Sequence, residues 1–230
     1  TEEVDSKDLV ELGRQKNIPV IEDLGSGMLI DLSKYGLPYE PTVQHAAASG
    51  MDIITFSGDK MLGGPQAGII AGKKKYIEEM KKNPLTRAFR IDKMTLAALE
   101  GTLKLYLDEE KAIRNIPVLK MLTEDKNEIQ KRAELLYKKL TVSLADSCEI
   151  KIEDGFSEVG GGSMPMHQMP TAVISLSPYK ITVNELERRL RRNDIPVITR
   201  IFRDRVLIDM RTVLEDEFGI IEEALKKALL

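Results

Sequence analysis

Two segments of the chain combine side chains capable of chemistry with glycine-rich turns. In residues 20–27, an apolar run ends in Glu22 and Asp23, and glycines follow at positions 25 and 27. In residues 55–65, a second apolar run leads into Lys60 and then into a Gly-Gly-Pro turn. Ligands of open α/β sheets bind beyond the carboxyl ends of strands. We therefore expect Asp23 to face a crevice, with Lys60 at the end of the next strand.

An amine and a carboxylate placed in this way fit the chemistry of pyridoxal 5'-phosphate (PLP). A lysine holds that cofactor as a Schiff base, and a carboxylate at the pyridine nitrogen keeps the ring protonated and electron-withdrawing. Free lysine has a pKa of about 10.4 and is a weak nucleophile at neutral pH, so desolvation or a nearby cation must free its amine. The Ser57 hydroxyl is placed to donate to the cofactor phosphate, and glycines 63 and 64 permit close backbone approach.

These residues also have ordinary structural interpretations. An aspartate at a strand end is usually a turn former or helix cap, and a lysine in a turn is usually solvated. Residues 57–60 further match Ser-x-x-Lys, the acyl-enzyme motif of penicillin-binding proteins and class A β-lactamases. That mechanism needs Ser57 to open a helix, whereas the preceding strand and the following Gly-Gly-Pro favour a turn. No Ser-Asp-Asn or Lys-Thr-Gly element follows, so the acyl-enzyme interpretation is disfavoured.

A pair of arginines forms the next candidate. Arg87 and Arg90 lie three residues apart just after Pro84. Planar guanidinium groups suit phosphate oxygens because each can form a bidentate hydrogen bond. Surface charge beside a helix start explains the pair equally well at this point.

The remaining candidates are weaker. His45 and His167 are isolated from each other, and two such histidines do not make a metal site. Cys148 precedes a predicted strand and is more typical of packing than of nucleophilic catalysis. Arg200 lies on a predicted strand, where it is either an ion-pair partner or a substrate ligand.

The composition limits the classes of function. The 230 residues suffice for one large core or two modest domains. No apolar run approaches the roughly 20 residues that cross a bilayer, and the single cysteine fits a reducing cytoplasm. The net charge of −3 gives no support for nucleic-acid binding. Local basic clusters at residues 73–75 and 188–192 are typical of solvated helix faces.

The first part of the chain, residues 1–107, is predicted to belong to a doubly wound α/β domain. Helix and strand signals alternate over residues 6–15, 18–21, 42–49, 52–56, 67–71 and 73–81. Such a domain needs more strands than these, so we expect its earlier strands to be absent and the isolated chain to be poorly soluble. Residues 92–107 predict a long helix that is apolar around much of its circumference, as in a helix buried between two bodies.

The second part, residues 108–230, predicts a smaller α/β domain. Helices are expected over residues 127–140, 182–193 and 215–229, the second of them opened by a Thr182–Glu185 capping box. Strands are expected over residues 149–152 and 172–176, together with a hairpin of residues 197–202 and 206–210. A flexible glycine loop is expected at residues 160–163.

Residues 21–107 resemble the bacterial selenocysteine synthases, the L-seryl-tRNA(Sec) selenium transferase family. The specific segment is Ser-Gly-Asp-Lys followed by Leu-Gly-Gly-Pro-Gln-Ala-Gly, since a generic PLP fold shares only the aspartate and the lysine. Other segments that carry the resemblance are residues 22–27, 32–38, 40–44 and 83–93. Residues 160–163 and 209–213 extend it weakly towards the end of the chain.

The resemblance implies the C-terminal half of a fold-type-I PLP enzyme, with the latter part of its large domain and the small domain. Lys60 matches the Schiff-base lysine, Asp23 the pyridinium partner and Asp59 an acidic residue important for catalysis. Arg87 and Arg90 match a pair that binds selenophosphate. The implied reaction turns seryl-tRNA(Sec) into selenocysteinyl-tRNA(Sec) through an aminoacrylate intermediate. Family members form rings of dimers, and their N-terminal part holds the tRNA.

Two other functions remain open at this stage. A related fold-type-I PLP lyase acting on a free amino acid would need an arginine for the substrate carboxylate, and Arg200 is the first candidate. A non-catalytic oligomerisation fragment would explain the missing upstream strands. Binding of free serine or cysteine would favour the first, and oligomers without pyridoxal absorbance would favour the second.

Overall fold

The computed structural model of the chain describes residues 4–160, 163–164 and 167–229. It contains two compact units, Thr1–Thr123 with Val159–Met166, and Glu124–Glu158 with His167–Leu230, each taken over its described residues. The sequence prediction divides the chain after residue 107. The first unit extends further because the helices that follow pack on it, with the Ile116 side chain against Gly63. Residues 161–162 of the predicted glycine loop lie outside the described residues.

The first unit is built on a three-stranded sheet. Strands β1 (Ile21–Gly25) and β2 (Ile53–Ser57) are parallel, and β3 (Gly68–Gly72) is antiparallel to β2, so the order is β1-β2-β3. The predicted first strand, residues 18–21, ends where β1 begins. Ile18 is largely exposed, and the apolar run there leads into the sheet without being part of it.

Helices flank this sheet, and local signals define their ends. The helices of the unit are α1 (Ser6–Lys16), α2 (Val43–Ser49), α3 (Lys74–Lys82), α4 (Pro84–Phe89), α5 (Lys93–Leu105), α6 (Glu109–Asn115) and α7 (Pro117–Thr123), with a 3-10 turn at Leu32–Tyr35. Asp5 caps α1 and Thr42 caps α2 through their side chains, and Gly50 ends α2 in the left-handed conformation. The predicted first and second helices are thereby confirmed.

The core of the first unit lies between the sheet and its helices. Its buried members are Val10, Ala46, Met51, Ile54, Phe56, Leu62, Ala67 and Leu99. Helix α5 departs from the prediction of a buried helix, because Leu99 is its one buried residue. Met94 and Leu96 are 73% and 57% exposed, since nothing in the described part of the chain covers them.

The second unit is a four-stranded antiparallel sheet with helices. Its strands are β4 (Cys148–Glu158), β5 (Gln168–Pro178), β6 (Arg200–Phe202) and β7 (Arg205–Asp209), in the order β4-β5-β7-β6. Its helices are α8 (Lys126–Leu144), α9 (Val183–Arg191) and α10 (Phe218–Leu229), with 3-10 turns at Met210–Thr212 and Glu215–Glu217. The core is formed by the apolar face of α8, the central strands and α10. Strands β4 and β5 run well beyond the predicted ranges and pair along their whole length.

The predicted hairpin and capping box show how local chemistry works in this unit. Arg203 and Asp204 both have positive φ, 48° and 57°, as a two-residue hairpin turn requires. The Thr182 side chain accepts a hydrogen bond from the Glu185 backbone N–H at 3.2 Å. The Glu185 carboxylate does not accept a hydrogen bond from the Thr182 backbone N–H, as a full capping box requires. It forms ion pairs with Arg188 and Arg189 instead. These two members of the predicted basic cluster are therefore engaged on the helix surface.

Candidate active site

The loops that follow β1 and β2 pack against each other. The backbone N–H of Met61 donates to the Ser26 carbonyl at 3.0 Å. Gly27 has a φ of +72°, and a Cβ there would lie 2.3 Å from the Ser57 carbonyl oxygen. Only glycine permits this approach, so the two sequence segments singled out for chemistry are adjacent in the structure.

Asp23 lies within β1 rather than at its end, which corrects the prediction. It pairs with Thr55 of β2, and the Thr55 hydroxyl donates to Asp23 Oδ1 at 2.9 Å. The register shifts directly afterwards, since Gly25 pairs with Phe56 and Leu24 is left out of the ladder. Such bulges re-aim side chains and are frequent beside active sites.

Asp23 lines a cleft in the first unit that has a volume of about 1380 Å³. Ser57, on the same face of the sheet, and Arg90 also line it. The other lining residues come from β2, β3, α3, α4 and the start of α5: Thr55, Phe56, Gly68, Ile69, Ile70, Glu79, Met80, Lys81, Asn83, Leu85, Thr86, Phe89, Ile91 and Leu96. The cleft therefore brings together three of the six predicted site residues.

Lys60 and Asp59 lie in the turn after β2, outside the lining of this cleft. Both are exposed, and neither side chain has a hydrogen-bond or ion-pair partner among the described residues. The turn itself is well held, because the Gly58 N–H donates to Ala67 O and the Gly64 N–H donates to Gly58 O, both at 2.8 Å. Ser57 belongs to a strand, so it does not open a helix as an acyl-enzyme Ser-x-x-Lys motif requires.

The two arginines differ in position. Arg87 lies in the last turn of α4, whose N-terminus is capped by Asn83. Arg90 follows the helix in an extended conformation and lines the cleft, whereas Arg87 does not. Both are exposed and without an ion-pair partner in the described part of the chain, so both guanidinium groups are available to an anion.

Sequence reasoning missed the residues that support the lysine turn. The hydroxyl of the half-buried Tyr106 donates to the Leu62 carbonyl at 2.8 Å, and desolvation raises the pKa of Tyr106 well above its usual range. Gly63, with a φ of +72°, lies against the Ile116 side chain. Thr55 was missed as well. Only the strand register relates it to Asp23, and no local sequence signal reports that register.

The structure also shows the neighbours of the weaker candidate residues. Burial raises the pKa of the Cys148 thiol to about 11, so the thiol is protonated at neutral pH and is a poor nucleophile. The Arg200 guanidinium lies 3.9 Å from Asp209. The His45 ring makes an edge contact with Tyr39. His167 directly precedes β5.

The second unit contains a buried polar network that sequence reasoning did not identify. Asp209 accepts hydrogen bonds from the Ser157 and Thr171 hydroxyls at 2.7 and 2.8 Å. The buried Arg211 donates to Ser157 at 3.2 Å and to the Pro170 carbonyl at 2.6 Å. Asp209 and Arg211 belong to the segment that extends the family resemblance. In the structure their hydrogen bonds connect the end of β7 to β4 and β5.

No group of three or more His, Cys, Asp or Glu side chains among the described residues is arranged to hold a metal ion. None of the helices described is both long enough and apolar enough to cross a membrane.

Comparisons with known proteins give concordant results. The family model described as SelA, L-seryl-tRNA selenium transferase, matches residues 1–214. The L-seryl-tRNA(Sec) selenium transferase of Alkaliphilus metalliredigens is 56% identical over 98% of the chain, and that of Clostridium botulinum (strain Loch Maree) is 55% identical over 100%. The chain spans about half the length of these relatives, 48% and 49%.

Among solved structures, D-glucosaminate-6-phosphate ammonia-lyase superposes with a TM-score of 0.58 at 17% identity. The match covers 99% of the chain and 53% of that protein. The predicted fold class, an α/β fold of fold type I, is confirmed by this likeness, and the dependence on PLP stays a prediction.

Proposed function

The chain belongs to the L-seryl-tRNA selenium transferase family, and from this we propose that it acts in the conversion of seryl-tRNA(Sec) to selenocysteinyl-tRNA(Sec) with selenophosphate. The observation that carries the proposal is the family match along almost the whole chain, which includes the motif around Lys60. The cleft beside Asp23, with its nearby arginines, supports it.

We propose PLP as the cofactor, because the residues of the site suit its functional groups. The Lys60 amine has no competing partner among the described residues, Asp23 offers a carboxylate at the cleft, and Ser57 offers a hydroxyl on the same face. When bound, PLP supplies an electron-withdrawing ring that stabilises negative charge at the substrate α-carbon. Lys60 would hold the cofactor aldehyde, Asp23 would hold a proton at the ring nitrogen, and Ser57 would bind the phosphate.

The same residues account for the proton movements of the proposed reaction. Lys60 would act as the base that takes the proton from the substrate α-carbon and later returns it. Asp59 is adjacent to Lys60 in the turn and is assigned to catalysis by the family resemblance. The serine hydroxyl would leave as water, the selenium of selenophosphate would bond to the β-carbon, and hydrolysis of the Se–P bond would release phosphate.

We assign Arg87 and Arg90 to the selenium donor. The serine carboxylate is esterified to tRNA and carries no charge, so the site needs no arginine for it. Two guanidinium groups that have no ion-pair partner among the described residues, one of them lining the cleft, are suited to a phosphate-like anion. Both arginines would therefore be free to bind selenophosphate.

The partners and location proposed follow the family. The tRNA would be held mainly by the N-terminal part that family members use for it, and the protein would assemble into a ring of dimers in the cytoplasm. Exposed apolar side chains around the cleft, such as Phe89 at 80% exposure, support an assembly that covers them.

The proposal is tested on the intact protein. Purified protein is given seryl-tRNA(Sec) and labelled selenophosphate, and label on the tRNA is counted for the native protein, for Lys60→Ala and for Lys138→Ala. Lys138 is an exposed lysine of α8 and serves as the matched control. We expect label with the native protein and the control, and none with Lys60→Ala. A native protein that shows cofactor absorbance but transfers no selenium would contradict the proposed reaction.

A further inference from the structure

The Asp23 carboxylate has one fixed neighbour. Its Oδ1 accepts a hydrogen bond from Thr55 Oγ1 at 2.9 Å. Its Oδ2 has no hydrogen-bond or ion-pair partner within the described ranges of the chain. An ionised carboxylate is purely an acceptor, so a donating hydroxyl suits it and leaves the second oxygen for another donor.

Thr55 is held more firmly than Asp23. It lies in the middle of β2, the central strand, where it pairs with Asp23 on one side and Ile70 on the other. Its neighbours Ile54 and Phe56 are buried in the core, which fixes the face to which Thr55 points. A β-branched side chain is also restricted at χ1. The hydroxyl therefore starts from a rigid support.

The bulge after Asp23 explains why such support is needed. Asp23 is the last residue of β1 in regular register with β2, because Leu24 is left out of the pairing. The exposed carboxylate has no salt bridge to orient it, as far as the chain is described. Without Thr55, its side chain would be free to rotate in the cleft, at an entropic cost on binding.

We propose that Thr55 is a positioning residue for the cofactor: its hydroxyl holds Asp23 Oδ1 so that Oδ2 meets the ring N–H. This inference rests on the proposed function, since it presumes that the site takes PLP. Thr55 itself touches no reacting atom in this assignment. Replacing Thr55 should therefore change PLP affinity only through Asp23, and only when the cofactor has its ring nitrogen.

The test measures cofactor affinity on the intact apoprotein. The Kd for PLP and for 1-deazapyridoxal 5'-phosphate, which lacks the ring nitrogen, is determined by fluorescence titration for the native protein, Thr55→Val, Thr55→Ser and Asp23→Asn. Valine keeps the β-branched shape without the hydroxyl, and serine keeps the hydroxyl. We expect Thr55→Val to raise the Kd for PLP about tenfold, or ~1.4 kcal/mol. We expect Thr55→Ser to restore most of the affinity, and neither variant to change binding of the deaza compound.

The outcomes separate this inference from the proposed function. If the native protein binds PLP, and Asp23→Asn weakens it while Thr55→Val does not, the positioning role is overturned and the proposed function stands. An equal loss of PLP and of the deaza compound in Thr55→Val would show a packing role and would also overturn it. A native protein that binds no PLP would overturn both. In the Asp23→Asn background, Thr55→Val should add no further loss of PLP affinity, and an added loss there would also overturn the positioning role. If Thr55→Val folds poorly, Thr55→Ala, which also lacks the hydroxyl, takes its place in the same comparison.

Discussion

Single residues of the proposed site are held to different degrees. Asp23 is oriented by a hydrogen bond from Thr55 of the central strand. Lys60 lies in a well-held turn, and its amine has no partner among the described residues. This difference matches the roles proposed for them. A ring partner has to stay in place, and a lysine that alternates between cofactor and base has to move.

The arginine pair gives a prediction at the residue scale. Replacing Arg87 or Arg90 by Gln removes a charge-assisted hydrogen bond to the donor, so we expect the KM for selenophosphate to rise about tenfold or more per residue. The KM for seryl-tRNA(Sec) should change little. Steady-state kinetics of the intact protein at varied selenophosphate measure both.

Arg114→Gln supplies the matched control for this experiment. Arg114 is an exposed arginine of α6, 3.8 Å from Glu110, and its loss should leave the dependence on selenophosphate unchanged. If Arg87→Gln and Arg90→Gln both behaved like Arg114→Gln, the two arginines would not bind the donor.

At the scale of elements, the site depends on how closely the loops after β1 and β2 approach. Gly27 and the Ser57 carbonyl are in direct contact, and the Met61 N–H bonds to Ser26 O. The lysine turn is thereby tied to the strand that carries Asp23. A backbone contact of this kind cannot be relieved by a side-chain rotation.

Two glycines of this loop allow a matched comparison of stability. Gly25 and Gly27 both have positive φ, 55° and 72°, but a Cβ at Gly25 meets nothing within 4 Å. Gly25→Ala should therefore cost only the left-handed backbone penalty of about 1–2 kcal/mol. Gly27→Ala should cost about 3 kcal/mol or more, because strain adds to the collision with Ser57 O.

Chemical denaturation of the intact protein, followed by circular dichroism, measures the free energy of unfolding of both variants. Gly27→Ala should also weaken PLP binding, since it separates the two loops. Equal stability losses for the two variants would show that the close approach at Gly27 does not matter.

At the scale of the whole chain, the first unit exposes several large apolar side chains close together in sequence. Leu85, Phe89, Met94 and Leu96 are each more than half exposed. The outer edges of β1 and β3 pair with no other strand among the described residues. Unpaired edges and apolar patches together favour association with other chains. The chain spans about half the length of the relatives it matches.

The 230 residues produced alone should consequently be poorly soluble or polydisperse. Size-exclusion chromatography with light scattering checks this directly. Polar substitutions at Phe89 and Met94 should improve recovery of the isolated chain, while Val142→Ser, on an 89% exposed residue of α8 in the second unit, should improve it less. A monodisperse native chain that melts cooperatively as a monomer would refute the expectation.

The sequence by itself determined the features that depend on local chemistry. The helices predicted over residues 6–15 and 42–49 are present as α1 and α2, whose ends at Asp5, Thr42 and Gly50 are set by capping of neighbouring backbone groups. The turn at Arg203 and Asp204 followed from the apolar runs on either side. The family was also readable, since the motif around Lys60 is contiguous. The roles assigned to Lys60, Asp59, Asp23, Ser57, Arg87 and Arg90 remain predictions.

Only the tertiary structure decided what depends on strand register and on packing between distant segments. Asp23 lies opposite Thr55 because β1 and β2 pair in one register, and the sequences of two separate strands do not specify that alignment. Arg90 lines the cleft and Arg87 does not, because α4 ends between them. Most apolar residues of α5 other than Leu99 proved exposed. An apolar pattern shows that a surface needs to be covered, but it does not show which segment covers it.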